Sequence, residues 1–317
     1  MKKTILILVA LAVILSGISG CRPGKGAAIQ NPNGKINVTT TIFPPYDFVR
    51  RIAGDKVNLT MLLPPGAESH SFEPSPRDII TIQNSDIFIY AGGESERWMS
   101  RILQSINTDK MKILAMVDAV ELVEEEIVEG MEEDGGGEAD EYAYDEHVWT
   151  SPRNAILIVR SITDILCEAD AANAAFFRQN AGAYIGALEE LDASFGAIVA
   201  GAKRNTIVFG DRFPFRYLAD AYGLKYFAAF PGCSAETEPS AATVAFLINK
   251  IKAEKIPVVF YIELSNERMA TTICEETGAK KLLLHSCHNV TKREFDSGDG
   301  YLEIMRRNAE NLREALN

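Results

Sequence analysis

The sequence predicts an α/β protein of two lobes, each a mostly parallel sheet with flanking helices, joined by one long backbone helix. Three observations predict it. Short β-branched or apolar runs alternate with helix-like segments from residue 36 onward, the pattern of a parallel sheet. The same alternation resumes after residue 205. Between them, Asp170 to Ala202 has few breakers and is rich in Ala, Leu and Glu, which fits one helix two or three times the usual length.

Each element has a local reason. Ile36 to Ile42 is an alternating β-branched strand, stopped by Pro44-Pro45, and Tyr46 to Ala53 fits a helix. Val57 to Leu63 is a second strand, and Pro64-Pro65-Gly66 forces a turn. Ser75-Pro76-Arg77-Asp78 opens a helix with Ser at the cap and Pro at the first position. Ile87 to Tyr90 is a third strand. In the second lobe the strands are Thr206 to Phe209, Lys225 to Phe230, Val258 to Ile262 and Lys281 to Leu284. They alternate with helices over Phe215 to Tyr222, Thr243 to Lys252 and Glu267 to Thr277, and an amphipathic helix from Gly300 to Leu316 closes the chain.

The N-terminus reads as a processed leader. Met1-Lys2-Lys3 is a basic start, Thr4 to Leu15 is almost wholly apolar, and Ile18-Ser19-Gly20-Cys21 resembles a bacterial lipobox. The apolar run is short for a membrane span, which needs ~20 residues. Cleavage before Cys21 and lipidation of its sulfur follow from that resemblance. The implied location is the outer face of a bacterial cytoplasmic membrane, lipid-anchored. The divisions are then 1–20 signal peptide, 21–35 flexible tether and 36–169 N-terminal lobe. Residues 170–204 are the linking helix and 205–317 the C-terminal lobe.

Composition narrows the function. Of 317 residues, 47% are hydrophobic and 24% charged, which excludes a disordered chain, a collagen and a polytopic membrane protein. The net charge of −12 becomes −14 once Lys2 and Lys3 leave, and this excludes nucleic acid as the partner. Five cysteines are too few for a disulfide scaffold. Cys167 and Cys274 fall inside predicted helices as structural thiols, whereas Cys233 and Cys287 lie in loops of the second lobe where a disulfide is conceivable. Glu121 to Glu146 holds thirteen acidic residues in twenty-six around Gly135-Gly136-Gly137, and reads as a solvated acidic loop or a weak cation collector.

The four histidines are the most informative feature. His70 follows the second strand, His147 immediately precedes a helix capped by Ser151, and His285 and His288 leave the last strand. Loops of this kind, at the carboxyl ends of parallel strands, are where open α/β sheets bind ligands.

Four stretches carry a resemblance: Thr40-Thr41-Ile42-Phe43-Pro44-Pro45-Tyr46-Asp47, Glu68 to Ser75, Asp145 to Pro152, and Phe215 to Leu224. They are similar to the metal-binding solute receptors of zinc and manganese ABC importers, in order from about residue 36 to the C-terminus. The resemblance implies two α/β lobes bridged by a rigid helix, one divalent metal between them, and a permease with its ATPase as partners of a monomeric receptor. It places ligands at His70, His147 and His285. The remaining ligand position falls on Arg212, which is always protonated and cannot ligate. Neighbouring Asp211 is the nearest replacement, with a water or the Cys233-Ser234-Ala235-Glu236 loop as the fallback. On that pattern Arg212 turns away from the metal. Trp149 packs the loop that carries His147, and Trp98 is a packing residue.

Imidazole donors suit zinc and its first-row neighbours, while calcium and magnesium want oxygen shells. Zn2+ therefore leads as the cargo and Mn2+ stands second. Four protein ligands leave no open position for a reacting water, which implies a receptor, not an enzyme. The rivals are a surface zinc hydrolase, using Glu68 or Glu146 as base, and an adhesin on the same scaffold. Three unperturbed imidazoles, each of pKa ~6.5, would make affinity fall steeply between about pH 7 and 5.

Overall fold

The computed structural model describes residues 34–131, 144–232 and 239–317. The expected leader, the expected lipidation site Cys21, the middle of the acidic run and Cys233 lie outside the described residues. No helix among the described residues is long and apolar enough to cross a membrane.

The first sheet is built from β1 (Ile36–Thr40), β2 (Val57–Met61), β3 (Ile87–Tyr90) and β4 (Lys112–Ala115). All neighbours run parallel in the order β2-β1-β3-β4, with Val38 opposite both Leu59 and Ile87. The chain therefore starts mid-sheet and winds outward on both sides. Helix α1 (Phe43–Ala53) begins before its expected start, because Pro44 and Pro45 sit in its first turn. There a missing N–H costs nothing, so the two prolines start the helix where the sequence alone suggests only a stop. Helix α2 (Pro76–Gln83) opens on the expected cap, with Ser75 and Asp78 closing a reciprocal capping box. Helix α3 (Trp98–Ser105) and strand β4 have weak sequence patterns and are added by the structure.

Helix α4 (Pro152–Ala169) leads into α5 (Ala174–Ala200), a single helix of 27 residues and so about 40 Å long. Asp170 makes the break between them, its carboxylate accepting from Asn173 N at 3.2 Å. Phe177, Ala181, Tyr184, Leu188, Leu191, Phe195 and Ile198 form its buried stripe at alternating spacings of four and three.

The second half carries β5 (Thr206–Val208), β6 (Arg212–Phe213), α6 (Arg216–Tyr222), β7 (Lys225–Phe227) and β8 (Phe230–Pro231). It continues through α7 (Ala241–Glu254), β9 (Val258–Tyr261), α8 (Arg268–Thr277), β10 (Lys280–Leu283), α9 (Lys292–Ser297) and α10 (Tyr301–Leu316). Strands β5 and β7 pair in parallel, as do β9 and β10, and a parallel bridge from Phe209 to Phe260 joins the two pairs. The strand expected over Lys225 to Phe230 is split at Ala228-Ala229, its second piece pairing with β6. Helix α5 packs against α1, α4 and α10. Contacts through it are continuous enough that Lys35–Asn317 is one compact unit containing the four-stranded sheet and the three strand pairs.

Candidate metal centre

Three loops at the carboxyl ends of these strands and beside α4 converge. The first carries His70. Its start is fixed by Gly66, whose φ of +86° favours glycine and whose N–H donates to Val290 O at 2.8 Å. Asn289 holds the same loop from the other side, donating from Nδ2 to Pro64 O at 2.8 Å and Ala67 O at 2.9 Å.

The second loop carries Glu146 and His147 just before the short 3₁₀ turn Val148–Thr150. Trp149, fully buried, anchors it by donating from Nε1 to Ser286 O at 2.8 Å, while Tyr301 donates its hydroxyl to Trp149 O at 2.6 Å. Glu146 accepts from Ser95 N at 2.9 Å. Gly93 makes room for it, since a Cβ there would come within 2.0 Å of the Glu146 side chain.

The third loop leaves β10 and carries His288. Glu263 staples it, accepting from Ser286 N at 2.7 Å and His288 N at 3.1 Å as well as from the Ser286 hydroxyl.

These loops bring His70, Glu146, His147 and His288 together, each offering one donor atom, all within 4.8 Å of one another. The imidazole rings of His70, His147 and His288 have centroids 5.2–5.8 Å apart. Glu146 Oε1, His147 Nε2 and His288 Nε2 are buried without a hydrogen-bond partner. An unmet buried polar atom is costly, and three converging on one point fit a cation that all of them bind. A tetrahedron around zinc has donor–donor edges of about 3.4 Å, so this set needs to contract by about an ångström to close on the ion.

The surroundings prepare the rings. Asp145 Oδ1 accepts from His147 N at 2.7 Å and lies 3.1 Å from its Nδ1. That contact puts the ring proton on Nδ1 and leaves the Nε2 lone pair facing the cavity. Burial alone would lower the His147 pKa, but the Asp145 carboxylate overrides it and the net shift is upward. Burial, then the neighbouring His147 and the Arg212 guanidinium, lower His70 to about 3. Burial and the other two histidines push His288 well below the usual imidazole value.

Two residues named from the sequence stand elsewhere. His285 is not in the gathered set. It is buried against α10, its N–H donating to Asn308 Oδ1 at 2.9 Å and its carbonyl accepting from Asn308 Nδ2 at 2.7 Å. Its Nδ1 accepts from Cys287 N at 2.9 Å. Cys287, between His285 and His288, takes a left-handed φ of +62°, and His285 faces α10 while His288 meets the cavity. Asp211 is also outside the set. The expected assignment of Asp211 toward the metal and Arg212 away from it is reversed, for Arg212 lines the cavity shared by the histidines. Asp211 lines an adjoining one with Gly210, Phe230 and Ser265, and its Oδ1 accepts from Arg212 N at 2.9 Å. Burial raises the Asp211 pKa, offset in part by Ser265 and Arg212. Arg212 does find a carboxylate, Glu68 at 3.3 Å, while still facing the cavity.

The gathered set holds two residues at which the sequence reading places no ligand, His288 and Glu146. Glu146 lies at the end of an acidic run read as solvated, yet Asp145 and Glu146 are both 1% exposed. The available signal is their direct abutment on His147-Val148-Trp149, where a hydrophobic segment pulls the end of the run inward. Cys287 is a free, buried thiol, and Cys167 and Cys274 are free thiols within α4 and α8.

The family model for zinc-uptake complex component A periplasmic (ZnuA) matches residues 38–315. The chain belongs to the ZnuA family. Among the family's relatives, the zinc-binding lipoprotein AdcA of Streptococcus pneumoniae is 34% identical over 315 residues, covering 99% of this chain and 61% of AdcA. This chain therefore spans about three-fifths of the length of that relative. The high-affinity zinc uptake system protein ZnuA of Bacillus subtilis is 32% identical over 311 residues, 98% of this chain and 97% of that one. The Zn(II)-bound ZnuA-like domain of S. pneumoniae AdcA has a similar fold, with a TM-score of 0.74 and 32% identity over 89% of this chain and 99% of that domain. The metal-dependent lipoprotein YcdH of B. subtilis gives 0.76 at 31% identity, over 89% and 100% of the two chains. Membership accounts for the α/β architecture of parallel sheets with flanking helices.

Proposed function

We propose that this protein is an extracytoplasmic receptor that captures a divalent transition metal, zinc before manganese, and delivers it to an ABC permease and its ATPase. His70, Glu146, His147 and His288 are the ligands of this reading. Its main support is the meeting of three unpartnered buried donor atoms with a fourth donor, His70. Three imidazoles and one carboxylate suit tetrahedral zinc, and four protein ligands leave no position for a reacting water, which favours carriage over hydrolysis. Lipidation at Cys21 would tether the receptor to the outer face of the membrane. Metal analysis and calorimetric titration of the soluble chain should give one tight zinc per molecule. A chain that binds no zinc at micromolar concentration would refute the reading.

Proton linkage should be smaller than three free imidazoles imply. His70 at about 3 and His288 well below its usual value are already neutral near pH 7, so neither yields a proton to zinc. His147 is raised, so it holds a proton below its folded pKa and must lose it to bind. Affinity is thus flat above that pKa and falls about tenfold per pH unit below it. Titration in buffers of different ionisation enthalpy should count no more than about one proton released per zinc at pH ~5.5, where three imidazoles of pKa ~6.5 would release nearly three. Release of two or three would contradict the preset neutrality of His70 and His288.

The Asp145 contact makes a separate prediction. Asp145→Ala removes the acceptor that sets the His147 tautomer, and zinc affinity should fall by about 10–100-fold. Competition with a chromophoric chelator measures it, and an unchanged affinity would show that the ring needs no such support.

A further inference from the structure

Beyond the four donors, the far wall of the cavity has an unusual character. It is lined by Arg212, Pro214, Gly232, Ile262 and Leu264. Among the described residues, the carboxylate and amide side chains near it are committed elsewhere, while the Ser69 hydroxyl sits on the His70 loop. Glu68 accepts from Arg212 and, through its other oxygen, from His70 N at 3.3 Å. Glu263 is spent on Ser286 and His288 N. Asn289 gives its amide to Pro64 and Ala67 and its oxygen to Val290 N. What faces the donors from this side is a guanidinium, only 12% exposed, set among apolar groups.

A guanidinium is a pure donor. Water bound to a divalent ion has one lone pair on the metal and the other weakened by the cation, so it acts chiefly as a donor. The two make a poor pair, and the side chains of Pro214, Ile262 and Leu264 offer no acceptor in their place. An ion that needs only four ligands loses nothing here. An ion that keeps waters to complete an octahedral shell, as oxygen-preferring cations do, meets mismatched donors and like charge.

Resting on the receptor reading above, we infer that Arg212 is a specificity-determining residue, which disfavours metal-bound water and so selects four-coordinate zinc over six-coordinate manganese. Both ions carry the same charge, so simple repulsion by Arg212 weakens both and cannot discriminate. The selection lies in coordination number.

The test is R212Q, which removes the charge and supplies a carbonyl oxygen that a metal-bound water can donate to. Manganese affinity should rise about tenfold or more relative to zinc, the scale of one hydrogen bond to a charged group. Cobalt(II) serves as a spectroscopic reporter, because tetrahedral sites absorb far more strongly in the visible than five- or six-coordinate ones. Wild type should give the intense spectrum and R212Q a weaker one. E68Q, which breaks the ion pair but keeps the guanidinium, should retain both the zinc preference and the intense spectrum. A zinc-to-manganese ratio and cobalt spectrum unchanged in a folded R212Q that binds zinc would overturn the role of Arg212 alone. Absence of zinc binding by wild type would overturn the receptor reading and this inference with it.

Discussion

His288→Ala is expected to lower zinc affinity by about a hundredfold or more, whereas His285→Ala leaves affinity within a few-fold and instead weakens the fold. The two histidines share a loop and a residue type, so the comparison isolates placement. His288 offers an unpartnered Nε2 to the cavity and its backbone is pinned by Glu263. Removing it takes one of four donors from a buried ion, and such a loss should exceed the 10–100-fold typical of a supporting partner. His285 holds Cys287 N and is itself held by Asn308 through both backbone atoms. Its truncation leaves the Cys287 N–H unmet and opens a gap beside α10, at a cost of about 1–3 kcal/mol. Chelator competition and thermal unfolding of the metal-free variants separate the two effects. Equal losses of affinity in both would remove the basis for placing His288 in the centre and His285 outside it.

The pair also shows where sequence reasoning stops. Strands β1, β2, β3, β5, β9 and β10, the capped helix at Ser75 and the long α5 follow from local patterns that packing does not contradict. His70 and His147, which the sequence names and the structure gathers, each sit beside a recognisable boundary, the Pro64-Pro65-Gly66 turn and the helix starting at Pro152. Between His285 and His288 stands one left-handed residue, Cys287, in a conformation for which that side chain gives no warning. Arg212 and Asp211 depend on which face of a two-residue strand meets the cavity, and that is set by the pairing of β6 with β8. Glu146 looks solvated by composition and is buried by its neighbours, with Tyr217 donating to Asp145 O at 2.8 Å to hold the segment in. Each of these is a tertiary decision made by a few contacts distant in sequence.

Glu146→Gln is the second variant with a large expected effect, and it separates binding from folding by sign. Glu146 is the one anion in the gathered set, so with neutral imidazoles it alone offsets the charge of a buried divalent ion. The amide keeps the volume, retains an oxygen for Ser95 N and can still offer a weak donor, but it removes the charge. Zinc affinity should fall by about a hundredfold or more, comparable to loss of a histidine, because a carboxylate–cation contact in a poorly solvated site is far stronger than an amide–cation one. The metal-free protein should respond in the opposite direction. Its Glu146 Oε1 is buried without a partner, so neutralising the group relieves a desolvation cost and the melting temperature rises. Zinc-induced stabilisation follows RT ln(1 + [L]/Kd), about 2.7 kcal/mol at a hundred times Kd, and a hundredfold loss of affinity cuts that to about 0.4 kcal/mol at the same zinc concentration. Thermal unfolding with and without zinc therefore yields two readings from one sample: a higher starting temperature and a nearly vanished zinc shift. A variant that starts lower yet keeps the full zinc shift would mean that Glu146 supports the fold and does not bind the ion.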